Sequence, residues 1–344
     1  DDWTGLHTTL AGYFAAHAEA LGLDFKAGVR SAAWQELKLA ELYHRLCAHP
    51  VHYLPSALNG FLDMLKEHRS FAERWASILE TAGEDVQAKG LKQWGQQLAV
   101  GLQAVADNNN VTATEMFTAL INSGQLTTDR MRIVWAWRGE MYRLSGRDEA
   151  ALADFISIVD LDPNDGWGFA KLGLTYSQLG RLKESLANFD RAIEIEPKYA
   201  IAMNYRGWTN LKMHRYKQAL VDFNAALELR LKDDVIYYGR SLTHSLLNNP
   251  TQSQADIQQA ITLAAQTHTQ DPQDWGNTFN LALYHLAAGN HQQAEHLYHT
   301  ALQGDAPQSN TREAITDLDD YLTLFPTNAH AQALRDLLHQ HLEP

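Results

Sequence analysis

One thiol and three imidazoles fall within nine residues in the stretch "HRLCAHPVH": His44, Cys47, His49 and His52. Thiolate sulfur and imidazole nitrogen are good zinc ligands, and a thiol beside an imidazole is also how a cysteine nucleophile is activated. Either chemistry depends on what carries the segment. The pattern predicts a helix from about Ala32 to Ala48, with Pro50 breaking it before His52. Four ligands this close together, split by a helix end, do not reach tetrahedral geometry. Cys47 lies four residues after Tyr43 and beside the apolar stripe Leu39, Leu42 and Leu46, so it reads as a small buried hydrophobe. His44 falls on a flanking face with Leu37 and Glu41, and no metal ligand is expected here.

Other stretches invite chemistry and fail on spacing. His296 and His299 are three apart and could share a helix face, but "HQQAEH" is not HExxH and no carboxylate or cysteine completes a set. They read as a solvated pair on the outer face of a helix. "GFAKLGLT", Gly168 to Thr175, has the two glycines and the threonine of a phosphate-binding loop, with Leu174 where the lysine belongs. It also lies in a helical pattern, whose amides are engaged in i to i−4 bonds. There is no GxSxG elbow. The expectation is no catalytic residue, no metal and no cofactor: the chain is not an enzyme.

Composition narrows the partners. The 28 basic and 41 acidic residues leave a formal charge of −13, with no run of lysine and arginine. Nucleic acid is excluded as the main ligand, because phosphate contacts carry most of that affinity, and so is an anionic membrane surface. A single cysteine makes no internal disulfide, which fits a reducing compartment. No signal peptide opens the chain and no apolar run approaches the roughly 18 residues of a membrane span, so the expected location is cytoplasmic. The sequon at Asn110 reads as a polar loop. A start at Asp1 without methionine suggests a piece of a longer protein.

The elements themselves come from self-similarity. "RGEMYRLSGRDEAALADFISIVDLDP", "LGLTYSQLGRLKESLANFDRAIEIEP" and "RGWTNLKMHRYKQALVDFNAALELRL" follow one another, with Gly139, Gly173 and Gly207 spaced 34 apart. Each unit reads as two antiparallel helices. In the second, Phe169, Leu172, Gly173 and Tyr176 share one face, Gly180 marks the turn, and Leu186, Phe189, Ala192 and Ile193 form the facing stripe. Small residues let the axes approach while Tyr176 and Phe189 fill the flanking space.

This pattern resembles the tetratricopeptide repeat. Gly139, Tyr142, Gly146, Ala151, Phe155 and Pro163 fall on its signature positions, as do Gly173, Tyr176, Gly180, Ser185, Phe189, Ala192 and Pro197. The third repeat keeps Gly207, Ala219, Phe223 and Ala226, with His214 at the turn glycine and Leu231 at the proline. A fourth from Lys232 is aligned on Gly239, Ile257 and Ala260, with a longer "LNNPT" turn and a longer second helix. A fifth from about Trp275 has Ala282, Gly289, Ala294, Tyr298 and Ala301, with Pro307 one place late. Upstream, Gly101, Ala113 and Phe117 mark a degenerate repeat. Downstream, "REAITDLDDYLTLFP" resembles a second repeat helix and "NAHAQALRDLLHQHLE" a final cap whose polar face carries His330, Arg335, His339 and His341.

The first ninety residues lack the period but show four apolar stripes at helical spacing: Leu6, Leu10, Tyr13, Phe14 and Leu21; Leu39, Leu42, Tyr43 and Leu46; Leu58, Phe61, Leu62 and Leu65; and Phe71, Trp75, Ile78 and Leu79, the last opened by Ser70 and Glu73 at capping-box spacing. "DWTGLHTTLAGYF", "LAELYHRLCAHP" and "RSFAERWASILETAGE" resemble the helical segment that follows the winged-helix domain in bacterial STAND ATPases, the NLR-like signalling NTPases. In that family the segment joins the ATPase to a C-terminal repeat sensor.

The resemblances together imply an all-α chain: a helical arm over 1–90, a degenerate repeat over 91–131, about five repeats over 132–307 forming a right-handed superhelical TPR α-solenoid, and a half repeat with a capping helix over 308–344. In the repeat family the first helix of each unit lines the concave face. Carried over residue by residue, this places Ile133, Ala136 and Glu140, then Trp167, Ala170 and Leu174, then Asn204, Trp208 and Leu211, then Ile236 and Arg240, then Phe279 and Leu283 in the groove. It lacks the lysine, asparagine and arginine clamp of carboxylate-binding co-chaperone repeats, and its apolar character marks a contact surface for a protein or peptide, with Trp167 and Trp208 as anchors. The alternative is that these side chains pack against neighbouring repeats or the chain's own arm. The implied role is the ligand-sensing region of a STAND NTPase in signal transduction such as antiphage defence, with the NTPase module of its own longer chain as a further partner. A free-standing scaffold that bridges proteins is the other reading.

Overall fold

The computed structural model describes residues 2–229 and 233–342, and every regular element among them is a helix. The chain divides into two compact units, Asp1–Pro163 and Asn164–Pro344.

The first unit contains α1 (Asp2–Ala20), the single turn α2 (Phe25–Gly28), α3 (Ala32–Ala48), α4 (Pro50–Glu67), α5 (Arg69–Asp85), α6 (Lys89–Ala106), α7 (Asn110–Asn122), α8 (Thr128–Leu144) and α9 (Asp148–Leu161). Ser31 caps α3 by accepting from the Trp34 amide, and Pro50 starts α4, where a missing N–H costs nothing. Leu58, Phe61, Leu62 and Leu65 are buried as their spacing requires, in a core shared with Phe71, Leu79, Leu98 and Phe117.

Three local expectations are corrected. The capping box does not form: α5 begins at Arg69, Ser70 bonds the His68 ring at 3.1 Å, and Glu73 pairs with Arg69 at 3.0 Å. Asn110 is the first residue of α7 rather than a loop residue, with Asn109 as the cap. On α1 the small residues go inward. Ala11, Ala18 and His7 are buried and Leu10 and Phe14 half-buried, while Leu6 and Tyr13, with Leu21 just past the helix, are exposed, because α1 meets α3 largely along its alanines.

The α5–α6 pair is closer still. A Cβ on Gly95 would strike the backbone of Glu80 and Ala76, and one on Gly83 would strike the backbone of Lys92. These glycines let two helix backbones touch.

The second unit contains, among the described residues, four hairpins: α10 (Gly166–Gln178) with α11 (Leu182–Ile195), α12 (Ala200–Lys212) with α13 (Tyr216–Glu228), α14 (Asp234–Leu246) with α15 (Pro250–Gln270), and α16 (Trp275–Ala287) with α17 (His291–Gln303). It closes with α18 (Gln308–Leu324) and α19 (Ala329–Leu342). In α8, α10 and α12, Gly139, Gly173 and Gly207 lie against the rings of Phe155, Phe189 and Phe223, each 16 residues later. The turns of these hairpins and the next share one device, a left-handed residue: Gly146 at φ 69°, Gly180 at 71°, His214 at 56° and Asn248 at 59°. Glycine adopts this conformation freely, and asparagine and histidine are the side chains that tolerate it best.

That device corrects the fourth repeat. The turn from Leu246 to Pro250 has the same length as that from Gln178 to Leu182, so it is not longer. With Asn248 at the turn, Ser241 takes the place of the signature glycine and Gly239 does not. Arg240 confirms the register: it forks onto Asp256, 16 residues on, as Arg206 forks onto Asp222 and Arg138 onto Asp154. Gly239 instead makes room for the Phe223 ring of the preceding hairpin and for Trp208. The second helix is indeed longer: α15 has 21 residues against 14 in α11. The extra seven are about two helical turns, which keeps the buried stripe on one face. Leu231 and Lys232, assigned above to the third and fourth repeats, lie outside the described residues.

The last helices leave this stacking order. Earlier joints put each new hairpin against the second helix of the one before, α12 on α11, α14 on α13 and α16 on α15. By contrast, α18 packs on α16 and reaches back to α12, while α19 packs on α18 and touches α17.

Candidate protein-binding face

The first helices of the four hairpins in the second unit, α10, α12, α14 and α16, carry the candidate face. Counting 34 from Asn204 and Trp208 gives Tyr238 and Leu242 on α14. Ile236 and Arg240, placed in the groove by the glycine at 239, are therefore corrected: Ile236 is fully buried in the core, and Arg240 is held by Asp256 and, at 2.8 Å, by Asn224. Leu211, Phe279 and Leu283 are also core residues, in one cluster with Ala314, Ile315 and Leu318 of α18, so they offer no free surface. Asn204 is buried too.

Trp167 and Leu174 on α10 are half-buried, Leu174 packing against the cluster of Ala170, Phe189, Ala192 and Ala202, with the Lys171 ammonium 5.4 Å from the Trp167 ring. Trp208 is half-buried against Phe223 and Tyr238, each with a ring centroid 5.7 Å away, so it is packed into the unit as well as facing this side. In the first unit, Ile133 and Ala136 on α8 are half-exposed, and Glu140 pairs with Arg143 at 2.7 Å.

Part of the face is occupied by α18. Asp320 pairs with Lys212 of α12 at 2.7 Å, and a Cβ on Gly276 of α16 would come within 3.3 Å of the Asn310 amide. Tyr238 is buried, with the Tyr284 ring 4.7 Å away. Burial pushes its hydroxyl well up, and Tyr321 and Asp317 of α18 add to the rise. Asp317 itself is pushed up to about 7 by burial, with Glu313 and Asp320 adding and Lys212 opposing. Among the described residues no hydrogen bond reaches its carboxyl. Asn204 Oδ1 and Trp208 Nε1, one helical turn apart on α12, are buried without a hydrogen-bond partner. Spacing from the middle repeats shows Tyr238. Lys212 and its partner on α18 could be found only in three dimensions.

The thiol and imidazole cluster resolves into packing. Cys47 is buried and burial pushes its thiol up, away from the thiolate. The Tyr43 hydroxyl beside it donates to Asp85 at 2.6 Å. His49 and His52 are exposed at the α3–α4 break. His44 does have a partner that spacing could not show: its Nδ1 lies 2.8 Å from Nδ1 of buried His7 on α1, one ring donating and the other accepting, and its ring stacks on Phe14. Burial holds His44 below its ordinary 6.5, and His7 adds to this. The contact between α1 and α3 is therefore at full strength above pH 6.5 and weakens as pH falls below it. Amide exchange in α1 is expected to accelerate as pH falls below about 6.5 after correction for intrinsic rates, and a His44→Gln chain to lose that dependence.

Elsewhere, His296 is exposed and His299 half-exposed on α17, and "GFAKLGLT" lies within α10. Among the described residues no helix is long and apolar enough to cross a membrane. A recess of about 430 Å³ where α11, α12 and α13 meet is lined by Leu186, Val221 and Arg206, whose guanidinium is already held by Asp222 and Asp190.

Residues 169–199 match the family model of the tetratricopeptide repeat. No curated protein matches the chain. Among solved structures, a tetratricopeptide repeat protein from Parabacteroides merdae is 15% identical, with a TM-score of 0.46, covering 72% of this chain and 98% of its own. A thermophilic TPR protein of Thermus thermophilus is 18% identical, with a TM-score of 0.44 and coverage of 56% and 98%. MamA residues 41 to the end from Desulfovibrio magneticus are 19% identical, with a TM-score of 0.38 and coverage of 50% and 94%.

Proposed function

We propose that the chain is a non-catalytic protein-recognition module, binding a protein or peptide on the face of its first repeat helices. The observation that carries this reading is the partly exposed apolar pair Trp167 and Leu174, about two turns apart on α10, on the helix series that α18 covers further along. Apolar surface of this kind, aromatic and rimmed by charge, is where binding energy concentrates. Truncating both residues, Trp167→Ala with Leu174→Ala, should lower partner retention from the native lysate by at least about tenfold at a temperature where the variant keeps its helical content. Undiminished retention would sink the reading.

The finer assignment is the ligand-sensing C-terminal region of a STAND-type NTPase, in which bound ligand relieves autoinhibition. Its support is the likeness of the three N-terminal stretches to the arm of those proteins and the order of arm and then repeats. Such a sensor needs different affinities in its closed and active states. A phosphate-binding loop with its lysine encoded upstream in the gene would favour this assignment, and a gene without one would favour a free-standing scaffold.

A further inference from the structure

We propose that α18 is a built-in occupant of the face made by α12, α14 and α16, and that the external ligand of this face is an acidic amphipathic helix that displaces it. The inference rests on the recognition role proposed for the first repeat helices and names the class of partner.

The placement of α18 is the first support. A helix continuing the array would seat on α17, the second helix of the last hairpin. Successive first helices also touch within the array, but α18 packs on α16 rather than on α17 and reaches the more distant α12. It has the make-up of a helical ligand. Ala314, Ile315, Leu318, Tyr321 and Leu322 form the buried stripe at helical spacing, and Glu313, Asp317, Asp319 and Asp320 make it acidic. Lys212 supplies the complementary charge through Asp320.

The second support is that the resident helix fits imperfectly. Asn204, Trp208 and Lys212 are successive i, i+4 positions on α12. The last is paired to α18, whereas Asn204 Oδ1 and Trp208 Nε1 are shut away without partners. An unmade hydrogen bond in a buried place is a standing cost that a ligand with a donor and an acceptor at those points relieves. Asp317 adds a half-buried carboxyl that no hydrogen bond among the described residues reaches. A helix that keeps the apolar stripe and a carboxylate for Lys212 keeps the contacts named here for α18, and one whose amide or hydroxyl also reaches Asn204 and Trp208 gains two more. Against this, α18 is tethered, so an external helix competes with a high effective concentration.

The test uses the full chain and, as probe, a fluorescent peptide with the sequence of residues 308–324. Hydrogen exchange should show α18 opening at least about tenfold more often than α16 beneath it, as a sub-global event. The peptide should bind saturably. An Asp320→Lys chain, whose resident helix is repelled by Lys212, should bind it about threefold more tightly than wild type, and a Lys212→Glu chain more weakly. Both positions are partly exposed, so neither variant threatens the core. Protection of α18 equal to that of α16 with no saturable binding overturns the proposal, as does binding indifferent to both substitutions. A concentration-dependent dimer that exchanges α18 between copies would also overturn it, since the occupant would then be a second chain. Each of these failures leaves the Trp167 and Leu174 experiment free to succeed, whereas its failure removes the recognition role itself.

Discussion

Replacing Gly95 by alanine is expected to destabilise the first unit by more than about 3 kcal/mol, while Gly90→Ala on the same helix is neutral or stabilising by under about 1 kcal/mol. Both glycines lie in α6, so helix propensity favours alanine at each. What differs is the neighbour. A Cβ at Gly90 meets nothing within 4 Å, whereas one at Gly95 would strike the Glu80 amide nitrogen and lie 2.8 Å from the Ala76 carbonyl oxygen. Those atoms are backbone in the hydrogen-bonded interior of α5, and no rotamer change moves them aside. The helices must separate along their length, opening the layer that holds Leu79 and Leu98. Denaturant midpoints of the two variants measure the difference, and equal midpoints would refute the close approach.

Asp317→Asn is expected to stabilise the second unit at about pH 8, by on the order of 2–4 kcal/mol, and to make little difference at about pH 4. Burial raises the carboxyl from its ordinary 3.8 to about 7, so the folded chain holds a proton that the unfolded chain has released. Stability from this group is then fully present below about pH 4 and is lost as pH rises towards 7. The side chain keeps some contact with solvent, which favours the lower end of the range. The groups around it are Lys212 from α12, Tyr238 from α14, Tyr298 from α17, and Glu313, Asp320 and Tyr321 of α18 itself. Only the lysine favours the charged form, and asparagine keeps the shape without the charge. Thermal unfolding of wild type and variant across about pH 4 to 8 should give curves that meet at the acid end and diverge towards the alkaline end. Parallel curves would show that the Asp317 carboxyl is not raised in the folded chain.

Legibility in the sequence followed distance along the chain. Gly173 and Phe189, or Arg206 and Asp222, are 16 residues apart within one hairpin, and a local repeat encodes such contacts again and again. The third expected turn stands because His214 adopts the left-handed conformation that glycine adopts in its neighbours. In the fourth repeat the glycine lies two residues off the period, and a register set on it is off by as much. Gly239 answers to the Phe223 ring of the previous hairpin, while Arg240, Asp256 and Asn248 kept the true period. That two-residue slip exchanged Tyr238 and Leu242 for Ile236 and Arg240 on the candidate face.

The α1 stripe shows why periodicity alone does not say which face turns inward. Leu6 and Tyr13 are at helical spacing and remain in solvent, because Ala11 and Ala18 allow a closer approach to α3 than bulky side chains would.

By itself the sequence determined that this chain is helical, where its hairpins turn, and that residues 169–199 form a repeat, since these depend on propensity, period and contacts a few turns apart. Tertiary structure alone decided that His44 meets His7, that α5 and α6 touch through glycine, and that α18 returns to α12. Those contacts join residues 37, 15 and more than 100 positions apart. No repeat carries them, and they exist because each helix must bury its stripe against whatever surface the folded chain leaves open.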